Sequence, residues 1–176
     1  MRTFYHVHSL FQEGEELFRL AAARLAGSGL AAELRVAQAF FLNLLHSYDQ
    51  AITGAQSVLM QPEQSRSPAA AGAHLEWGIA LSLQGHHEES LLHLYEAIEL
   101  ARHWQLKGVE VRSQRAIYRV MVGKGELNEA VTVLQQALVN YQQLGYHLHE
   151  GFVYRSLGHV SWLQGHYVQA LAYYEQ

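Results

Sequence analysis

Arg112, Arg115 and Arg119 are spaced i, i+3 and i+7. On an α-helix that spacing puts three side chains on one face. A guanidinium is planar, permanently charged and forked, which suits it to carboxylate or phosphate. Arg155 follows Arg115 by forty residues, so four of ten arginines fall in two related segments of a chain with formal net charge −4. This pattern points to holding an anion rather than transforming one. The alternative is that these arginines pair with Glu76, Glu110 or Glu150, or stay solvated; exposed pairs of that kind contribute little stability.

Other chemistry is sparsely provisioned. There is no cysteine, Asp49 is the sole aspartate, and Lys107 and Lys124 are the sole lysines. Disulfides, thiol catalysis and Cys-based zinc sites are therefore excluded, and no G-x-S-x-G elbow occurs. The stretch GKGELNEA does not have the spacing of a phosphate-cradling P-loop. The carboxylate pairs Glu15/Glu16 and Glu88/Glu89 read as helix starts, where they favour the helix dipole. No two of the twelve histidines lie three or four apart, the spacing that a helical metal pair requires. His6/His8 and His147/His149 are two apart, the latter in the segment LGYHLHEG, read as a connector. His86, His87 and His166 read as polar turn residues. Trp77, Trp104 and Tyr173 sit at helical spacing and read as core. The expectation is no enzyme, no metal and no cofactor.

The elements that must position the arginines recur. LQGHHEES, GKGELNEA and LQGHYVQA place Gly85, Gly125 and Gly165 at forty-residue intervals. Apolar residues at helical spacing flank each glycine, which predicts a helical hairpin with glycine at the left-handed turn. An offset copy around Tyr48 and Ala51 has His46 in place of the glycine, and LFQEGEELFRLAAARLAG reads as one amphipathic helix ending at Gly27. With 49% hydrophobic residues and only two prolines, the expectation is all-α. No apolar run approaches the ~18 residues of a membrane span, and the N-terminus lacks a signal-peptide core. With the lack of cysteine, this predicts a cytoplasmic protein without direct nucleic-acid binding.

The pattern resembles the tetratricopeptide repeat (TPR) family. The residues that carry the resemblance are Leu157-Gly158, Gly165, Tyr167, Ala170 and Tyr174 in one unit. Trp77-Gly78, Gly85 and Ala97 carry it in another, and Gly125, Ala130 and Ala137 in the unit between them. Tyr118 departs from the small residue that the family places there. The period exceeds the usual ~34 and is similar to the longer repeats in sensor regions of bacterial signalling ATPases and maltose-regulator-like transcription regulators. The resemblance implies a right-handed superhelical solenoid of about four and a half helix pairs. The repeats are 1–30 (partial), 32–62, 71–110, 111–150 and 151–176, in a single domain over 1–176. Ala130 and Ala170 would permit close helix approach, with Tyr167 and Leu127 filling gaps between units. The last unit stops in mid-helix, which predicts a fragment of a longer protein.

In that family the first helix of each pair lines a concave groove. Carried onto this chain, the groove residues are Arg112, Arg115 and Arg119, then Arg155, His159 and Trp162. The preceding unit supplies Leu75, Ile79, Ser82 and Leu83, and Phe152 and Trp162 could pack on an apolar part of a ligand. The implied function is non-catalytic: protein–protein interaction or ligand sensing in a larger bacterial signalling or transcription-regulatory protein. The groove would take an acidic peptide, a partner domain or an anion. The alternative is a structural spacer or oligomerisation scaffold, self-associating through Leu171, Tyr173 and Tyr174.

Overall fold

A computed structural model describes residues 2–145 and 147–176. Among the described residues every regular element is an α-helix: α1 (Arg2–Arg24), α2 (Gly29–Leu44), α3 (Tyr48–Leu59), α4 (Pro68–Gln84), α5 (His87–His103), α6 (Lys107–Lys124), α7 (Leu127–Leu144), α8 (His147–Leu163) and α9 (Tyr167–Tyr174). None of these helices is long and apolar enough to cross a membrane. The chain forms two compact units, residues 1–113 and 114–176, and α6 contributes to both.

Helix α4 shows how local sequence sets the elements. Ser67 is its N-cap, and Ser67 Oγ accepts from the Ala70 N–H at 3.3 Å, satisfying a donor that the helix cannot use. Pro68 occupies the first turn, where its missing N–H costs nothing. Gly85 ends the helix at φ +86, the left-handed conformation that glycine adopts without a Cβ penalty. Gly125 (φ +77) and Gly165 (φ +80) repeat it. After each glycine the next residue is an N-cap with nearly the same backbone: ψ is 64 at His86, 61 at Glu126 and 62 at His166. The same turn occurs earlier without glycine, with His46 at φ +60 followed by Ser47 at ψ 59.

In the first unit, consecutive helices from α1 to α5 pack on one another, and α2 also meets α4. Alanines line the closest approaches: Ala39, Ala51 and Ala80 are fully buried together, as are Ala55 and Ala73 beside Val58. Gly78 sits against the fully buried Leu94, and Ser90 Oγ donates to the Gly78 carbonyl at 2.7 Å. In the second unit α8 packs on both α7 and α9. Its core comprises Ile117, Val120, Leu134, Val153, Leu157 and Val160.

Several sequence expectations are corrected. His147 and His149 lie within α8, not in a connector, because the left-handed turn at Gly145 (φ +69) already reverses the chain. The side chain of His6 lies outside the described residues. Glu15 and Glu16 fall in the interior of α1, not at its start; Glu15 accepts from Gln38 at 2.7 Å and Glu16 from Arg19 at 2.6 Å. Trp104 is exposed, its indole N–H donating to the Arg66 carbonyl at 2.8 Å. Tyr167 is exposed rather than filling a gap, and Leu75 and Ile79 are core residues rather than groove lining.

Candidate functional site

The second unit holds a cavity of about 420 Å³. Arg115, Tyr118 and Arg119 reach it from α6, at i, i+3 and i+4. Phe152, Arg155, Ser156 and His159 reach it from α8, at i, i+3, i+4 and i+7. Each set occupies one helix face. Tyr174 from α9 completes the lining. No aspartate or glutamate is among the lining residues.

Two of these arginines share one ring. The guanidinium carbon of Arg115 lies 4.6 Å from the centroid of Phe152, and that of Arg155 lies 5.7 Å from it. Both distances allow cation–π attraction, which offsets part of the repulsion between two like charges. Among the described residues no carboxylate pairs with either guanidinium. Both side chains are exposed, so their donors remain available to a ligand.

Tyr118 and His159 form the opposite kind of contact. The Tyr118 hydroxyl lies 2.5 Å from His159 Nδ1. Burial is the main influence raising the Tyr118 pKa, opposed by the charge of Arg155; the phenol therefore keeps its proton. If it donates that proton to Nδ1, the imidazole carries its own on Nε2. If Nδ1–H donates instead, the phenol O–H is left over. In either tautomer the pair retains one further donor.

Of the residues expected to line a groove, Arg115, Arg119, Arg155 and His159 lie around this one cavity. It places the other two candidates elsewhere. Arg112 belongs to the first unit, where its Nη2 donates to Glu76 Oε1 at 2.6 Å and its guanidinium lies 4.8 Å from the centroid of Phe40. Trp162 stacks beside His159, with centroids 6.4 Å apart and rings 12° from parallel, and does not line the cavity. Glu110 is taken by Arg102 and Lys107, and Glu150 by His147.

Sequence reasoning did not single out Tyr118, Ser156 and Tyr174 as site residues. Tyr118 carried a signal, because it stands where the repeat pattern expects a small residue. Gly158 carried another: a Cβ there would lie 2.6 Å from the ring of Tyr174, so the bare backbone seats that ring.

These geometries have a known architectural setting. No family model matches the sequence, and no curated protein matches it. Solved structures do. A Rap protein, crystallised with Competence and Sporulation Factor, superposes with TM-score 0.78 over 98% of this chain at 17% identity. The chain spans 49% of that Rap protein. BtubC (BKLC) from P. vanneervenii superposes with TM-score 0.74, 16% identity, 94% of this chain and 70% of its own. The nearly identical TPR-like repeats of a Podosopora anserina kinesin light chain give TM-score 0.72 at 16% identity, covering 98% of this chain and 88% of theirs. The fold is TPR-like. Identities this low carry the fold alone, so what the TPR-like chain binds must be argued from its own residues.

Proposed function

We propose that this chain is a non-catalytic binding module, one part of a larger bacterial signalling or transcription-regulatory protein in the cytoplasm. Its ligand is the anionic group of an acidic peptide or partner domain, held at the cavity of Arg115, Arg119, Arg155 and His159. The observation that carries this reading is the pair of guanidinium groups on Phe152 with no carboxylate beside them. Unbalanced cations at a concave, partly aromatic surface are poised for an anion, which they can grip by charge-assisted hydrogen bonds. The crystallised complex of the Rap protein with Competence and Sporulation Factor supports a binding role for this architecture, and the forty-residue period supports the signalling context.

Fluorescence anisotropy with labelled glutamate-rich peptides tests the proposal. The wild-type chain is expected to bind them with an affinity that falls as salt rises, since screened charges contribute less. The double variant Arg115→Ala, Arg155→Ala should lose binding while keeping its helical circular dichroism. Unchanged affinity in that variant removes the cavity from consideration.

A second reading rests on α9. Tyr167, Val168 and Leu171 are 65%, 85% and 59% exposed, an apolar concentration of the kind that marks contact surfaces. Under this scaffold reading the chain self-associates there. Sedimentation velocity should then show a concentration-dependent mass that Val168→Glu with Leu171→Glu abolishes. A monomer at all concentrations rejects it.

A further inference from the structure

Resting on the anion-binding reading above, we infer that the ligand group at this cavity is a phosphomonoester carried on an aromatic ring, rather than a carboxylate. Charge favours the phosphomonoester. Arg115 and Arg155 bring two positive charges to one phenyl ring with no internal counter-charge among the described residues. A carboxylate neutralises one of them. A phosphomonoester carries about −1.5 to −2 at pH 7 and offers three acceptor oxygens, so it balances both guanidinium groups at once.

The donors at the cavity favour it as well. Two guanidinium forks supply several N–H groups, and the Tyr118–His159 pair retains one more in either tautomer. Ser156 Oγ is spent on the Phe152 carbonyl at 3.0 Å and adds none. A carboxylate has two oxygens and would leave part of this set unused, whereas three phosphoryl oxygens can engage both arginines and the Tyr118–His159 pair.

The cavity wall favours an aromatic carrier. Phe152, Tyr118 and Tyr174 supply aromatic surface to the same cavity. Aromatic pairs gain by stacked or edge-to-face contact beyond simple burial, so a planar ring fits these walls while its phosphate reaches the arginines. The cavity, about 420 Å³, has room for both.

Isothermal titration calorimetry on the whole chain tests this with three probes: phenyl phosphate, benzoate and inorganic phosphate. Phenyl phosphate should bind about tenfold or more tightly than either of the others, given the usual range for hydrogen bonds to charged groups. Arg115→Gln and Arg155→Gln, both at exposed positions, should each weaken it by a similar factor with an unchanged thermal transition. Benzoate binding as well as phenyl phosphate would overturn the phosphate assignment and leave the anion-binding reading standing. Inorganic phosphate binding as well would overturn the aromatic part. If none of the probes binds, the inference fails; the glutamate-rich peptides then decide separately whether the cavity binds anions at all.

Discussion

Arg112 reaches across 36 residues of sequence to place its Nη2 at 2.6 Å from a Glu76 carboxylate that is 1% exposed. Asn43 Nδ2 donates to the other oxygen of the same carboxylate at 3.1 Å. Burial is the largest influence on Glu76 and raises its pKa, opposed by the charge of Arg112 and by the hydrogen bonds from Asn43 and Arg112. Removing the arginine leaves a buried acid that must be ionised without its cation or must take up a proton. Arg112→Ala should therefore destabilise the chain by about 1–3 kcal/mol at neutral pH. The deficit should narrow as pH falls, because a protonated Glu76 no longer needs the partner. Urea denaturation at several pH values checks this. Phenyl phosphate affinity should be unaffected, since this guanidinium is already engaged.

The histidine pair His74 and His93 gives a second, separable pH dependence. Their Nδ1 atoms are 2.9 Å apart, and Trp77 stacks on His93 at a centroid distance of 3.9 Å. Burial lowers both pKa values from 6.5. It takes His93 to about 4, with His74 as the next cause, while Glu89 and Glu96 pull the other way. The folded state therefore favours neutral imidazoles. Their contribution is complete above pH 6.5 and is lost as pH falls from 6.5 towards 4, where the unfolded chain binds more protons. The melting temperature should fall across that window, and His93→Phe, which keeps a ring on Trp77, should flatten the fall. An equally steep fall in the variant would assign the acid sensitivity to other groups.

Two glycines should respond differently to the same substitution. A Cβ on Gly78 would lie 2.7 Å from Leu94 Cγ and 3.1 Å from the Ser90 carbonyl oxygen. Leu94 is fully buried and backbone cannot step aside, so Gly78→Ala should destabilise by about 1–3 kcal/mol despite its gain in helix propensity. At Gly158 the obstacle is the ring of Tyr174 at 2.6 Å, on a side chain 51% exposed. That ring can swing out. Gly158→Ala should cost little stability yet weaken phenyl phosphate binding by removing one wall of the cavity. Thermal melts and calorimetry on the two variants separate the effects.

Local features were legible in the sequence and distant pairings were not. Gly85, Gly125 and Gly165 announce their turns because only glycine adopts positive φ cheaply. His46 at φ +60 and Gln105 at φ +56 make similar reversals with no such marker. The face shared by Arg115 and Arg119 follows from helical spacing, and Arg155 from the forty-residue period. Arg112 satisfies the same spacing, yet its role is set by Glu76 in another helix, a partner that periodicity alone cannot rank above Glu110. His74 and His93 are nineteen residues apart, a separation that helical spacing of three or four does not reveal. Trp104 reads as core by helical spacing and is exposed because it lies at the end of α5, where its N–H caps a loop carbonyl.

Phe152 offers the sharpest test of how the cavity works. Its ring holds two guanidinium groups without contributing charge. If the site were only a region of positive potential, Phe152→Leu would leave affinity intact, because the number of charges is unchanged. If the ring pre-organises the two arginines, its loss makes the ligand bear the cost of ordering them, about 0.5–1.5 kcal/mol per long side chain. Affinity for phenyl phosphate should then drop several-fold. Its salt dependence should stay close to that of the wild type, since the same cations are engaged in the complex. The residue is half-buried and leucine is similar in character, so the melting transition should shift little. Calorimetry at two salt concentrations distinguishes the cases: parallel but weaker binding supports pre-organisation, and unchanged affinity would reduce Phe152 to packing.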